Sequence, residues 1–349
     1  MLHDFLNRLG IANPIIQGPM GGGPSTPELV AAVSNAGGLG SLGAAYLTPE
    51  QLRAAVRRIR VLTSRPFNVN LFAGGWPKEI HAEPGPMLDL LAEVHGQLGL
   101  PPPATPQLAP DPFPDQFEAL MEDPPPVFSF TFGIPDREIM SRLKSRGIVT
   151  VGTATTLEEA RLLAEAGCNA VVAQGSEAGA HRGTFAASFE SSMVPTLELT
   201  RRIAGGLPGL PVIASGGLME GAGIATAMRL GAAAAQLGTA FLVTPESGAP
   251  AIHKRAILDA RTDTTAITRA FSGRPARGIV NRFVSALRGR EEIILPYPLQ
   301  NALTRPMRTE AAKQGRAEFL SLWAGQGLTR ARELPAGKLV GILVEEAGL

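Results

Sequence analysis

Eight short apolar runs alternate with amphipathic, helix-like stretches over most of this chain, and this alternation restricts the fold more than any other feature. Consecutive strands that are separated by helices pair in parallel, because a parallel pair needs a long crossover between its strands. Runs such as PVIASGG are apolar at both odd and even positions, which is typical of strands buried on both faces. The runs are NPIIQGPM (13–20), LGSLGAA (39–45), PFNVNLF (66–72), VFSFTFG (127–133), IVTVGTA (148–154), NAVVAQG (169–175), PVIASGG (211–217) and AAAQLGTAF (233–241).

Eight strand–helix units predict an α/β fold of the (β/α)8 TIM-type barrel class, and the stretch from 13 to about 261 matches the usual barrel length of about 250 residues. Helix caps support the helical segments, since Ser, Thr or Asp stands near several of their starts and Gly at several of their ends. An open doubly wound sheet is the weaker alternative. Its phosphate-binding motif is matched only by GLGSLG at 38–43, which follows a helix and enters a strand, the reverse of the required order.

Two segments fall outside the barrel pattern. Residues 73–126 hold the helix candidate GPMLDLLAEVHGQLG and a proline-rich stretch, and an insertion of this length after strand 3 predicts a lid-like element. Residues 262–349 contain helical patterns such as TEAAKQGRAEFLSLWAGQG and PAGKLVGILVEEAG. We therefore expect a barrel over 1–261 with the inserted segment 73–126, followed by a C-terminal helical appendage over 262–349.

Charge and composition favour a small-molecule partner. The formal net charge is only +1, and no basic stripe with interleaved aromatic residues indicates a nucleic-acid partner. The single cysteine, Cys168, cannot form an internal disulfide, and Asp4 and Arg8 interrupt the apolar core that a secretory signal would need. The longest apolar run, 230–243, is too short to cross a bilayer, which needs about 20 residues. We expect a cytoplasmic protein without membrane attachment.

Glycine and polar residues follow several of the predicted strands at the barrel end where such folds carry out chemistry. The loops after the seventh and eighth strands, ASGGLMEGAG and QLGTAF, have the composition of the phosphate-binding loops common in barrels. Asn70 and Gln174 carry amides that can bind the edge of a polar ring, and a flavin has such a ring. Tight turning alone is the simpler reading of one Gly-Gly pair, but two adjacent strand ends favour phosphate.

The segment QGSEAGAHRG (174–183) places His181, one of only five histidines, among glycines and alanines at the end of the sixth strand. A histidine in a loop is more often a surface residue than a catalyst, but its position at a strand end favours a catalytic role. Cys168 precedes the same strand and lies at the opposite end, which argues against a Cys–His pair. Glu177 and His181 lack a further ligand, so we expect no metal site, and Glu177 is expected to brace the loop.

Eight segments spread over nearly the whole chain together carry a resemblance to a known family. They are QGPM, SNAGGLGSLG, PFNVNLF, AQGSEAGAHRG, ASGGLMEG, QLGTAFLVTPES, SGRPARGIVNRF and FLSLWAGQG. Through them the chain resembles the nitronate monooxygenase family, formerly called 2-nitropropane dioxygenases. The resemblance implies non-covalently bound FMN in a barrel and oxidation of alkyl nitronates by O2 to a carbonyl compound and nitrite, with propionate 3-nitronate as a candidate substrate.

By position, the resemblance makes His181 the active-site histidine and places the backbone of Pro19, Met20 and Gly21 beside the flavin ring. Two roles are open to His181: a hydrogen-bond donor to a nitronate, or a general base toward a neutral nitroalkane. The residues that the resemblance assigns to FMN are Asn70, Gln174, Gly179, Gly216, Gly217, Gln236, Leu237, Gly238 and Thr239.

Four positions depart from the family pattern. Ala180 stands where the family usually has glycine, and a Cβ there costs roughly 1 kcal/mol if the backbone has positive φ. Thr131, Asn301 and Arg305 stand where some members have histidine, tyrosine and lysine, so we expect them to line the substrate pocket and to alter substrate preference.

Two other functional classes stay open at this stage. FMN reductases that use NADH or NADPH and act on enoyl thioesters or quinones resemble this family through the same histidine loop. A barrel that binds a phosphorylated ligand without chemistry is the third possibility. Bleaching of bound flavin by a pyridine nucleotide would identify the second class, and a colourless protein would indicate the third.

Overall fold

The computed structural model describes residues 2–349, and its centre is a parallel sheet of eight strands. Each of the eight apolar runs contains one strand of this sheet, which confirms the predicted barrel class. Residues 2–349 form eleven strands, and three of them lie outside this sheet. In chain order they are β1 (Ile15–Gln17), β2 (Gly40–Gly43), β3 (Phe67–Phe72), β4 (Val127–Thr131), β5 (Val149–Ala154), β6 (Ala170–Gln174), β7 (Ala180–His181), β8 (Val212–Ser215), β9 (Ala234–Leu237), β10 (Thr265–Thr268) and β11 (Ala276–Ile279).

The large sheet closes on itself. Its strands pair in the order β1-β9-β8-β6-β5-β4-β3-β2, and a parallel bridge between Ile16 and Leu39 joins the two ends. The Gln17 amide donates to the Leu39 carbonyl at 3.0 Å, and the Leu39 amide donates to the Ile15 carbonyl at 2.9 Å. Because closure removes the free edges, all eight carboxyl ends meet at one end of the barrel.

Helices surround the barrel, and local capping fixes several of their starts. Thr26, Thr48, Asp136 and Thr156 each cap a helix with a side-chain oxygen, as the sequence predicts. The helices are α1 (Leu2–Leu9), α2 (Pro27–Asn35), α3 (Pro49–Leu62), α4 (Gly85–Leu98), α5 (Phe113–Glu122), α6 (Arg137–Ser145), α7 (Leu157–Glu165), α8 (Thr196–Gly206), α9 (Gly221–Arg229), α10 (Thr239–Leu242), α11 (Ala251–Leu258), α12 (Arg282–Ala286), α13 (Leu299–Gln314) and α14 (Ala336–Ala347).

The amino-terminal end of the barrel is covered by α1. Phe5 and Leu9 are buried in one apolar cluster with strand residues that include Val127 and Ile213. Burial of Phe5 and Leu9 removes apolar surface from water and keeps α1 in place. The barrel is therefore open for ligands only at its other end.

A second apolar cluster joins the inserted segment to the C-terminal part of the chain. Met87 and Leu91 of α4 pack with Phe271, Leu303 of α13 and Phe319. The short helix α5, which the proline-rich sequence did not indicate, instead packs on α3 and β3 as a barrel helix. The segment after residue 261 also contains strands, since β10, β11 and β7 form a small antiparallel sheet.

The last helix, α14, returns to the barrel. It packs between α2 and α9, with Leu339 and Val340 buried against the cluster that contains Leu29 and Ile224. This is the position of the helix that would follow β9 in a simple barrel, so α14 completes the outer ring from the far end of the chain. The division at residue 261 stays a prediction. No helix within residues 2–349 is long and apolar enough to cross a membrane.

Candidate active site

A cavity of about 620 Å³ opens at the carboxyl ends of the barrel strands. Its size is typical of a site for a cofactor or small ligand. No aspartate or glutamate of the described chain lines it. All residues predicted for the site do line it, namely Pro19, Met20, Gly21, Asn70, Thr131, Gln174, Gly179, His181, Gly216, Gly217, Gln236, Leu237, Gly238, Thr239, Asn301 and Arg305.

The loops after β8 and β9 form one wall of the cavity. Gly216 and Gly217 have φ angles of +128° and +67°, which side chains larger than hydrogen rarely adopt. Helix α10 begins directly after β9, with Gly238 as its cap residue. Its first N–H groups have no partner within the helix, so this wall presents neutral backbone donors and small residues.

The loop after β1 adjoins this wall, because β1 pairs with β9, and on its other side it lies against β2. The Met20 amide donates to the Ser25 hydroxyl at 2.8 Å, and the Ser25 amide donates back to the Met20 carbonyl at 3.2 Å. A Cβ added to Gly43 would lie 2.5 Å from the Gly21 nitrogen, so the loop backbone passes directly over the end of β2. These contacts hold Pro19, Met20 and Gly21 in a fixed position beside the cavity.

The two predicted amides are both partly engaged. Gln174 donates to the His181 carbonyl at 3.0 Å and accepts from the Gly183 amide at 2.7 Å, so it closes the loop that carries His181. Asn70 donates to the Ser129 hydroxyl at 2.9 Å. Each amide keeps further hydrogen-bonding capacity toward the cavity.

His181 is held between the barrel and the small antiparallel sheet. Its strand, β7, pairs with β11, so that His181 lies opposite Ala276 and Ala180 opposite Arg277. Ala180 has a φ of +60°, the strained conformation anticipated for an alanine in place of glycine. Gly179 lies against the backbone of Gly325, where an added Cβ would come within 2.6 Å of the Gly325 nitrogen.

Aromatic rings surround the imidazole. The ring centroids of Phe132, Tyr297 and Trp323 lie 5.9, 6.2 and 5.8 Å from that of His181. Burial first, and then the positive charges of Arg274 and Arg308, lower the pKa of His181 to about 3. His181 is therefore neutral at physiological pH, and no pattern in the sequence indicates so large a shift of its pKa.

Two buried charged residues fix the shape of the histidine loop. Arg182 is 1% exposed and donates to the carbonyls of Gly175, Gln174 and Ser192 at 2.5, 3.0 and 2.8 Å. The carboxylate of Glu159, also buried, accepts from several backbone amides just after the loop, including Phe185 at 2.7 Å. These bonds leave the loop little freedom to move.

Glu177 braces the same loop, as expected. Its carboxylate accepts from the amide and hydroxyl of Thr196 at 2.8 and 2.7 Å. Cys168 is buried near the opposite end of β6, and burial raises the pKa of its thiol to about 12. A thiol of this kind is a poor nucleophile, in line with the structural role expected for it.

Helix α13 supplies a polar face of the cavity through Asn301, Arg305 and Arg308. Arg308 donates to the Asn301 side-chain oxygen at 2.9 Å, and burial lowers the pKa of Arg308 to about 10. Arg305 stands one helical turn before Arg308. The Tyr46 hydroxyl is buried on this side, and burial raises its pKa.

Sequence reasoning missed several residues that complete the cavity. One signal was available, because Arg308 follows Arg305 at i,i+3 on the same helix face. The others come from loops whose position depends on long-range packing. The missed residues include Tyr46, Phe132, His253, Arg308 and Trp323 in the wall, with Ser272, Arg274 and Tyr297 around His181.

Comparison with known proteins agrees with this geometry. A family model described as nitronate monooxygenase matches residues 4–346. A nitronate monooxygenase from Pseudomonas aeruginosa is 43% identical over 99% of both chains, and a probable nitronate monooxygenase from Bacillus subtilis is 39% identical over the same share.

Two solved structures resemble the whole chain. A nitroalkane oxidase from Streptomyces ansochromogenes superposes with a TM-score of 0.90 at 44% identity, covering 99% of this chain and 98% of the other. FabK from Thermotoga maritima superposes with a TM-score of 0.77 at 28% identity, covering 99% of this chain and 96% of the other.

Proposed function

The chain belongs to the nitronate monooxygenase family, and from this premise we propose that it oxidises alkyl nitronates with O2 to a carbonyl compound and nitrite, using bound FMN. The observation that carries the proposal is a single cavity that joins glycine-rich strand ends to a buried histidine. The glycine-rich strand ends and the histidine loop around this cavity come from segments that relate the chain to its family.

The residues present fit FMN. At Gly216, Gly217 and Gly238 the loops offer backbone N–H groups that no side chain of these three residues covers, which suits a phosphate. Asn70 and Gln174 would meet the polar edge of the ring, with the backbone of Met20 beside it. Bound there, FMN supplies the capacity to accept electrons from the nitronate and pass them to O2.

The electrostatics of the cavity favour an anionic substrate. Arg305 and Arg308 line the cavity, and no carboxylate of the described chain does. A nitronate is already an anion, so this field attracts it and holds its oxygens without any proton transfer. A nitronate that carries a second anionic group, such as propionate 3-nitronate, would use both arginines.

The low pKa of His181 also favours nitronates over neutral nitroalkanes. A general base works best when its pKa lies near the working pH, whereas burial and two nearby arginines lower that of His181 to about 3. Removal of the α-proton from a neutral nitroalkane is therefore the slower route. Thr131, Asn301 and Arg305 line the side of the cavity where substrate preference would be set.

Anaerobic reduction of the bound flavin tests the proposal. The FMN-loaded protein is mixed with an alkyl nitronate in one cell and with NADH or NADPH in others, and absorbance near 450 nm, roughly the flavin band, is followed. We expect bleaching by the nitronate and none by either pyridine nucleotide at the same concentration. Flavin that bleaches only with a nucleotide would contradict the proposal.

A pyridine-nucleotide-dependent reductase is the alternative function. The likeness to FabK gives it a basis, although the identity of 28% is well below the 44% shared with the nitroalkane oxidase. The same experiment separates the two, because a reductase must accept hydride from the nucleotide. Failure to take up any flavin would exclude both.

A further inference from the structure

The segment SGRPARG (272–278) resembles a family motif, but the proposed function assigns it no task. It follows β10, and its first residue, Ser272, is 1% exposed. The Ser272 hydroxyl oxygen lies 2.8 Å from Nε2 of His181. Because His181 is the only titratable side chain of its loop that lines the cavity, this contact bears on the chemistry there.

The hydrogen bonds around Ser272 determine which way its proton points. Its oxygen lies 3.1 Å from the Arg274 carbonyl, in donor geometry, and accepts from the Arg274 amide at 3.3 Å. A serine hydroxyl has one proton to donate and two lone pairs. If the proton goes to the Arg274 carbonyl, the lone pairs accept from the Arg274 amide and from Nε2–H of His181, and every group is satisfied.

The opposite arrangement satisfies fewer groups. If Ser272 donated its proton to Nε2, the Arg274 carbonyl would lose this donor, and no other hydrogen bond to that carbonyl exists among the described residues. A partly buried carbonyl that loses its donor is unfavourable. In the favoured arrangement Nε2 donates to the Ser272 oxygen and therefore carries the ring proton. Because a neutral imidazole has one N–H group, Nδ1 is then unprotonated.

We propose that Ser272 is a positioning residue that fixes neutral His181 as the Nε2–H tautomer and leaves Nδ1 as the ring nitrogen available to substrate. Nδ1 has no hydrogen-bond partner among the described residues, and His181 lines the cavity. The proposal rests on the proposed function for its chemical meaning, but the tautomer itself does not depend on it.

This tautomer limits what His181 can do toward each kind of substrate. A neutral imidazole with a lone pair on Nδ1 cannot donate to a nitronate oxygen from that atom, but it can accept a proton. With a neutral nitroalkane, Nδ1 takes the α-proton, the C–H electron pair forms the C=N bond, and the negative charge moves to the two oxygens of the nitronate. Ser272 still accepts from Nε2–H afterwards, so the ring does not need to turn.

Arg274, in the same segment, also contacts the surroundings of His181. Its guanidinium lies 3.8 Å from the centroid of Phe132 and donates to the carbonyls of Arg182, at 3.3 Å, and Thr184. Arg274 therefore fixes the backbone just after His181, at residues 182–184, while Ser272 fixes the imidazole ring. Around the imidazole, the charged groups that act on it are Arg274 from this motif and Arg308 from α13.

Nitrogen-15 NMR of the FMN-loaded protein tests the tautomer directly. Correlations between the ring protons and both ring nitrogens distinguish a protonated from an unprotonated nitrogen, and loss of the signals in His181→Asn assigns them among the five histidines. We expect Nε2 to be the protonated nitrogen and Nδ1 the unprotonated one at neutral pH. A protonated Nδ1 with a bare Nε2 would overturn the proposal.

Variants of Ser272 add a kinetic readout. Ser272→Ala should lower kcat for a neutral nitroalkane by about 10- to 100-fold, the range typical when the second partner of a metal-bound histidine is removed. Flavin content should stay unchanged, and Ser272→Thr, which keeps the hydroxyl, should restore part of the rate. Ser285→Ala, at an exposed position of α12, is the matched control.

The outcomes separate this inference from the proposed function. A protein that oxidises nitronates but shows Nδ1–H refutes only the role of Ser272. A protein with Nε2–H that fails to oxidise any nitronate refutes only the proposed function. Equal rates for Ser272→Ala and Ser285→Ala, with the tautomer unchanged in both, would also overturn the proposal.

Discussion

Replacement of Gly238 by alanine tests whether the end of β9 holds the phosphate of the cofactor. An ideal Cβ at Gly238 has no protein atom within 4 Å, and its φ of −101° is open to alanine. The change therefore introduces no clash within the protein. Its cost to folding is limited to the weaker N-cap preference of alanine, at most about 1 kcal/mol in this short helix.

The cost to cofactor binding should be larger. A phosphate oxygen that accepts from this backbone must lie about 2.9 Å from the nitrogen, whereas a methyl carbon keeps other atoms at roughly 3.5–4.0 Å. The added methyl group would push the phosphate out of hydrogen-bonding range. A hydrogen bond to a charged group contributes about 1.5–3 kcal/mol, so the Kd for FMN should rise about 10- to 100-fold.

Titration of FMN into flavin-free protein, followed by flavin fluorescence, measures this Kd. Gly205→Ala in α8 is the matched control, because Gly205 also has no atom within 4 Å of its Cβ position but lies outside the cavity. We expect the control to bind FMN like the unchanged protein. Wild-type affinity in Gly238→Ala would show that the phosphate does not lie at the end of β9.

Three further predictions follow from the site. Ala180→Gly should leave the free energy of unfolding unchanged or raise it by up to about 1 kcal/mol, because glycine adopts the φ of +60° without strain. Chemical denaturation measures this free energy, and the control Ala178→Gly should lower it by about 1 kcal/mol. His181→Asn should keep its FMN but turn over neutral nitroalkanes about 10²–10⁴-fold more slowly in an oxygen-uptake assay, and an unchanged rate would make the histidine a bystander. Burial lowers the pKa of His253 to about 4 from its ordinary 6.5, so the unfolded chain binds a proton that the folded chain does not, and stability should fall as the pH drops from 6.5 to 4. The loss from this residue is up to about 1.4 kcal/mol per pH unit. His253→Gln should reduce the slope of the stability profile without abolishing it, because His181 has a lowered pKa in the same range; a profile identical to that of the unchanged protein would contradict the assignment.

The barrel could be predicted from the sequence because its signals are local. Strand β8 lies within PVIASGG, and helices α3 and α6 begin where Thr48 and Asp136 provide caps. Each such signal involves residues within a few positions of one another. Parallel order then follows from the alternation alone.

The packing of α4 and α14 could not be predicted in the same way. The apolar faces of both helices are visible in the sequence, but neither face says which partner will cover it. Helix α14 covers the barrel beside α2, about 300 residues earlier in the chain, while α4 leaves the barrel and packs on α13. Such choices depend on long-range complementarity of shape, which no local pattern records.

The candidate site likewise contains residues placed by local signals and residues placed by long-range packing. Asn70, Gln174 and the glycine loops lie at strand ends, so their place in the cavity wall could be predicted from local patterns and the family resemblance, while their contact with FMN stays a prediction. Ser272 and Arg308 lie beyond residue 261 and reach His181 only because the second apolar cluster places them there. Their effect on the imidazole is invisible until the fold is known.

This division of the site between the barrel and the segment after residue 261 has a chemical consequence. The barrel provides the glycine loops, whereas the groups that set the tautomer and the pKa of His181 come from the segment after residue 261, through Ser272, Arg274 and Arg308. Under the proposed function, cofactor binding and proton transfer are therefore controlled by different parts of the chain. Changes in the later segment can alter how readily His181 accepts a proton without touching the glycine loops, so barrels of this kind can keep one cofactor while their preference between nitronates and neutral nitroalkanes changes.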